Sequence, residues 1–178
     1  YWMRITTAST GKTYSWGIAT NSSGKVFTVG HQYNHAPYIS EADSTCTNIL
    51  YKCFDNTPSN GANDQYLDIV ADTFGNLYIA GYKFDPITLN YQLVLMKMKG
   101  DTIAMQWVRA FSVYTTDPYN NIKSTSCCVD ASGNILIVSS DDTIGGVALK
   151  LNTYGVVQWS KVYSAYKLTR CDPMADGG

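Results

Sequence analysis

Charge is scarce in this chain. Of its 178 residues only 15% are Asp, Glu, Lys or Arg, and the formal net charge is -1, where an ordinary globular domain carries about 25% charged residues. There is no basic stripe of the kind that neutralises phosphates, which sets nucleic acid aside as a partner. Long apolar runs are also missing. The longest, such as Ile135–Val138, are strand-length, well short of the roughly 18 residues a spanning helix needs, so no membrane insertion is expected. Histidine is limited to His31 and His35. No G-x-S-x-G elbow, G-x-G-x-x-G fingerprint, P-loop or H-E-x-x-H occurs. The paired carboxylates of a glycosidase need no local spacing and stay open. No catalytic set and no cofactor is expected.

Cysteine is sparse and odd in number: Cys46, Cys53, Cys127, Cys128 and Cys171. The density is too low for a disulfide-framework miniprotein but suits a domain with one or two staples. Cys46 and Cys53 are placed to bridge an atypical stretch and would restrain the loop they close. Cys127 and Cys128 read as small buried apolar groups, with a vicinal disulfide as the alternative. Asn21-Ser22-Ser23 is a sequon, which makes Asn21 a candidate glycosylation site. Low charge, sequon and cysteines together favour an extracellular or cell-surface setting; a cytoplasmic structural assembly is the alternative.

Thr, Ser, Asn and 14 Tyr replace the missing charge, a mixture that suits strands. Three segments share one pattern, Trp16–Gly30, Leu67–Gly81 and Thr125–Ser139, and their central glycines Gly24, Gly75 and Gly133 stand 51 and 58 positions apart. Each reads as a hairpin whose two apolar strands flank Asp/Asn-x-x-Gly. Asn21, Asp72 and Asp130 can accept backbone hydrogen bonds at the first turn position, and the Gly can take the left-handed conformation of a type I turn with a G1 bulge. A role for Asp72 and Asp130 as metal ligands or acids is the competing reading.

A second pattern is Trp-x-basic: Trp2-Met3-Arg4, Trp107-Val108-Arg109 and Trp159-Ser160-Lys161, with a degenerate copy around Leu50-Tyr51-Lys52. A Trp at a fixed repeat position fills the gap between neighbouring sheets; stacking on a sugar is the alternative. Between these landmarks Leu93–Met98 matches Gly146–Leu151, each with a lysine. Every unit therefore holds four strands. Four short strands repeating over roughly 50 residues make the pattern of a propeller blade. Runs such as Ile69-Val70-Ala71 lack strict alternation, as expected for strands covered on both faces. The expectation is an all-β protein of about three β-propeller blades, each a four-stranded antiparallel sheet. They span residues 1–166, with a tail or linker at 167–178.

Ile69-Val70-Ala71-Asp72-Thr73-Phe74-Gly75-Asn76-Leu77-Tyr78-Ile79-Ala80-Gly81, followed later in the unit by Ala148–Trp159, resembles the bacterial-type repeat known from seven-bladed β-propellers. The resemblance covers most of residues 1–163 and departs at Asn21, at Leu50 and at Ser139, where Gly would be usual. It implies a fold and a packing mode and carries no catalytic residues. Three blades are too few for a closed ring. The expectation is part of a longer chain, or a ring completed by other chains, or blades stacked openly, because terminal repeats expose apolar faces.

The stretches 31–47 and 55–65 depart most from the repeat, and insertions of this kind tend to form loops, often on the binding face. His31, Tyr33, His35 and Tyr38 are the candidates there. A zinc site joining the histidines to Glu41, Asp43 or Cys46 is a minor alternative. Asp141-Asp142-Thr143 reads as an exposed, solvated acidic turn, with calcium binding as the alternative. The leading functional expectation is a structural or protein-interaction scaffold whose partners are proteins or further blades. A carbohydrate-binding propeller with exposed aromatics on loops such as Tyr33–Tyr38 or Asp117–Asn121 comes second. A glycosidase or lyase built around a central channel comes third.

Overall fold

The structure is a computed structural model that describes residues 13–32, 37–45, 49–53, 64–85, 87–88, 90–112, 122–142 and 144–173. Trp2, Tyr33, His35, Cys46 and the Asp117–Asn121 loop lie outside them. The described residues form twelve strands: β1 (Thr13–Thr20), β2 (Val26–Gln32), β3 (Pro37–Ala42), β4 (Ile49–Cys53), β5 (Gln65–Ala71), β6 (Asn76–Asp85), β7 (Asn90–Lys99), β8 (Ala104–Ser112), β9 (Ile122–Val129), β10 (Ile135–Asp141), β11 (Gly145–Leu151) and β12 (Val157–Tyr163). They pair antiparallel, in chain order, into three four-stranded sheets, β1–β4, β5–β8 and β9–β12. These are three propeller-like blades, and the fold class is the one the repeat implies. Among the described residues no helix is long and apolar enough to cross a membrane.

The hairpin corners are built alike. Asn21 Oδ1 accepts from the Ser23 and Lys25 N–H groups at 3.1 and 3.0 Å. Asp72 Oδ1 accepts from Phe74 and Asn76 at 2.9 and 2.8 Å, and Asp130 Oδ1 from Ser132 and Asn134 at the same two distances. Gly24, Gly75 and Gly133 sit at φ of 76, 79 and 80°, where a side chain is strained. The β11–β12 corner repeats the device with Asn152 and Gly155.

Period-2 alternation then assigns each face of a blade to a different neighbour. From the second blade, Leu77, Ile79, Met96 and Met98 meet Phe27, Val29 and Ile39 of the first. Tyr78, Ala80, Leu93 and Leu95 meet Ile135, Ile137 and Leu149 of the third. Strands between two blades bury both faces, which is why their sequences do not alternate. Each fully buried Ile or Leu here contributes about 1.5–3 kcal/mol. The outermost strands β8 and β12 are exposed along most of their length.

Cross-strand register confirms the equivalence of the three units. Lys97 pairs with Trp107, Lys150 with Trp159 and Glu41 with Leu50, so Leu50 occupies the tryptophan position in the first blade. Asp130 loses some hydration on partial burial, but its hydrogen bonds to Asn134 and Ser132 and the nearby Lys150 ammonium outweigh that and hold its carboxyl below the ordinary range. A depressed carboxylate contributes stability above its unfolded-state pKa and loses it as pH falls through the folded value. Asp130→Asn is therefore expected to flatten the fall of stability with acidification below about pH 4. Urea melts recorded across that range check it; an unchanged slope refutes the assignment.

Candidate functional site

The inner strands β1, β5 and β9 lie side by side, and the chain beyond β12 passes over the third. A cleft of about 450 Å3 opens between them, lined among others by Trp16, Ile18, Asp68, Ser126, Cys128 and Cys171. Its floor is a hydrogen-bond chain from blade to blade. Asp68 Oδ2 accepts from Ser126 Oγ at 2.7 Å and from the Cys127 N–H at 3.0 Å. Ser126 Oγ in turn accepts from the Cys171 N–H at 3.5 Å. Arg170 and Asp172 form an exposed ion pair at 3.1 Å on the rim.

Residues 167–173, the described part of the segment 167–178 expected to be a tail or linker, contact the third blade. Lys167 pairs with Asp142 at 2.8 Å and the Leu168 carbonyl accepts from Ser140 Oγ at 2.6 Å. Asp141, expected in an exposed turn, is buried instead. It is the last residue of β10, it pairs with Gly145, and its Oδ1 accepts from the Ile144 N–H. Its carboxylate is used inside the turn rather than offered to solvent.

Of the proposed binding-loop residues, the structure places His31 and Tyr38 on β2 and β3. His31 is buried, accepts at Nδ1 from Trp16 Nε1 at 3.1 Å, and stacks on Tyr14 at 5.0 Å. Tyr38 hydrogen-bonds Ser15 Oγ at 2.5 Å. Trp16 and Tyr14 stay exposed beside His31. These two aromatics escaped the sequence reading because they sit in a strand rather than in the atypical loop. Glu41 pairs with Lys25 at 2.5 Å, and among the described residues no group of three His, Cys, Asp or Glu is placed to hold a metal. Cys127 and Cys128 are buried on opposite faces of β9 and, like Cys171, are free thiols.

The junction between the second and third blades shows what the outer blades lack. There Lys97 Nζ donates to the Thr153 hydroxyl and carbonyl of the next blade at 3.3 and 3.4 Å. Trp107 tilts against Tyr78 and covers Gly155, where a Cβ would stand 3.2 Å from its ring. At the matching position of the third blade Trp159 is 44% exposed, and Lys150 turns back to Asp130 at 3.6 Å. On the far side Ile69 is 3% exposed under the first blade, whereas its counterpart Ile18 is 68% exposed. The first blade's outward face is also partly polar: Thr28 and Ser40, bonded to each other at 2.6 Å, stand where the second blade has Ile79 and Met96.

The chain matches no family model and no curated protein. It is similar to a solved structure of the Dos1 propeller, at 13% identity and a TM-score of 0.59, over 92% of this chain and 41% of that one. It thus spans less than half the length of that propeller. Apo AztD from Citrobacter koseri aligns at 6% identity and a TM-score of 0.32 over 87% of this chain and 48% of that one. A luciferin-regenerating enzyme aligns at 10% and 0.29 over 90% and 80%. The first of these likenesses establishes a β-propeller-like fold.

Proposed function

We propose that this chain is a structural, protein-interaction module whose third blade takes a further blade across its open face. The observation that carries the reading is Trp159, exposed at the position where Trp107 is covered by the next blade's Asn152–Gly155 corner. Hydrophobic area of this kind is stable in a repeat array only when a neighbour covers it. The added blade begins with the segment around Cys171 itself. The bond from its N–H to Ser126 repeats the bond from Cys127 to Asp68 one blade earlier, so the segment follows the path of a next inner strand. The sequon at Asn21 supports an extracellular or cell-surface setting for the assembly.

Two measurements test this. Trp107→Ala is expected to cost about 2 kcal/mol in urea unfolding, whereas Trp159→Ala in the 178-residue chain costs under about 0.5 kcal/mol; equal losses would mean that the two positions are not equivalent. The mass of the native polypeptide and of its assembly decides what supplies the blade. A longer chain supports the reading. A 19.6 kDa chain in a symmetric ring overturns the source of the blade, and a 19.6 kDa monomer overturns the reading altogether.

A second reading, carbohydrate binding, is favoured by the exposed Tyr14 and Trp16 rings beside His31, since flat aromatic faces with a polar neighbour suit sugar rings. A glycan array on which the protein binds, and Trp16→Ala does not, supports it; no binding removes it.

A further inference from the structure

Cys171 crosses the third blade where β9 and β10 pair Cys128 with Leu136. Its Sγ lies 3.6 Å from the Leu136 carbonyl oxygen and 4.0 Å from Ser126 Oγ, and Cys128 and Cys171 line the same cleft. The neighbouring Cys171 thiol lowers the Cys128 pKa, and Cys128 in turn, with burial, raises that of Cys171. Cys127, adjacent in sequence, faces the other way: its thiol donates to the Tyr78 carbonyl at 3.6 Å inside the core between blades. Burial, together with the Asp68 carboxylate, pushes its pKa well up and leaves it inert. One strand therefore carries, side by side, a thiol turned into the core between blades and a thiol on the opposite face, the side on which Cys171 lies.

We infer that Cys128 and Cys171 are a redox pair that closes to a disulfide in the presence of a small-molecule disulfide, fixing the segment after β12 to the inner strand of the third blade. The Cys128 thiolate, its proton lost to solvent, attacks one sulfur of the small disulfide, forms a mixed disulfide and expels a thiolate. Capping removes the negative charge beside Cys171, whose pKa then returns toward the ordinary thiol range. The Cys171 thiolate attacks Cys128 Sγ, the mixed bond breaks, and the second small thiolate leaves. The protein is oxidised by two electrons, and the two expelled thiolates take up two protons. The bond closes a loop of about 40 residues and restrains the unfolded chain strongly.

The test uses the full chain equilibrated in reduced and in oxidised glutathione, quenched in acid, alkylated, digested and mapped by mass spectrometry. The expected product is a peptide joining Cys128 to Cys171, with Cys127 alkylated. The melting temperature should rise by on the order of 10 °C relative to the reduced protein. Cys127→Ser should keep the linked peptide and Cys171→Ser should abolish both the peptide and the thermal shift. A link between Cys127 and Cys128, a link from Cys171 to Cys46 or Cys53, or free Cys128 and Cys171 in oxidised glutathione would each overturn the inference. The wild-type map decides the matter even if a serine variant does not fold.

Discussion

Gly81→Ala is expected to destabilise the protein by about 3 kcal/mol or more, lowering its melting temperature by on the order of 10 °C. A Cβ at Gly81 would stand 2.0 Å from the Gln65 carbonyl oxygen and 2.9 Å from Tyr66 Cα. Both are backbone atoms of the paired strand, so no rotamer change relieves the clash. The crowding comes from a β-bulge. The β5–β6 register slips between Tyr66 and Asp68, and the bulged strand leans onto the glycine. The first blade has the same bulge between Ser15 and Gly17, and Gly30 opposite it. The third blade explains its own exception. There the register slips between Ser140 and Asp141, farther along the pair, so position 139 has room for the Ser139 side chain that the repeat pattern would replace by glycine. Gly75→Ala gives the contrast. Nothing lies within 4 Å of its Cβ, and only the left-handed φ opposes it, at about 1–2 kcal/mol. Thermal melts of the two variants separate the causes, and a Gly81→Ala protein as stable as Gly75→Ala would refute the bulge argument.

Asp68→Ala should cost about 3 kcal/mol, through the joint between the second and third blades rather than within either sheet. The carboxylate accepts two bonds from the third blade. Charge-assisted bonds contribute about 1.5–3 kcal/mol each when made, and a buried N–H left without its acceptor adds a penalty. Asp68→Asn keeps one acceptor oxygen and should lose less, about half as much. Urea denaturation of both variants measures this. A loss below about 1 kcal/mol in Asp68→Ala would show that apolar packing alone holds the joint.

The corners and strand order were readable because their causes are local. An Asp or Asn that folds onto its own following N–H groups, and a Gly at positive φ, act within a few residues, so they leave a fixed mark at each return of the repeat. Lys97, Lys150 and Trp107 could be placed on their strands for the same reason. Asp141 could not: a pair of aspartates in a short turn reads as solvated, and only the pairing with Gly145 and the segment folding back over β10 bury it. Trp16 is not marked as an exposed aromatic by the sequence of residues 13–20, because the burial of a strand aromatic depends on what packs against it in the fold; here it is 56% exposed. The segment 167–173 matches no repeat well, so its sequence gives no sign of the contacts it makes with the third blade through the Lys167 ammonium, the Leu168 carbonyl and the Cys171 N–H.

Sequence alone thus determined four strands per unit, their antiparallel order and the turn chemistry between them, all set by period-2 patterning and by hydrogen bonds between near neighbours. Which face of each blade meets which neighbour, where each bulge falls, that Asp68 and Ser126 link successive inner strands, and that Cys128 rather than Cys127 meets Cys171 were decided only by the packing of one sheet on the next. A one-residue step along a strand reverses the direction of a side chain, and residues about 40 to 60 positions apart share a contact only once the sheets have stacked.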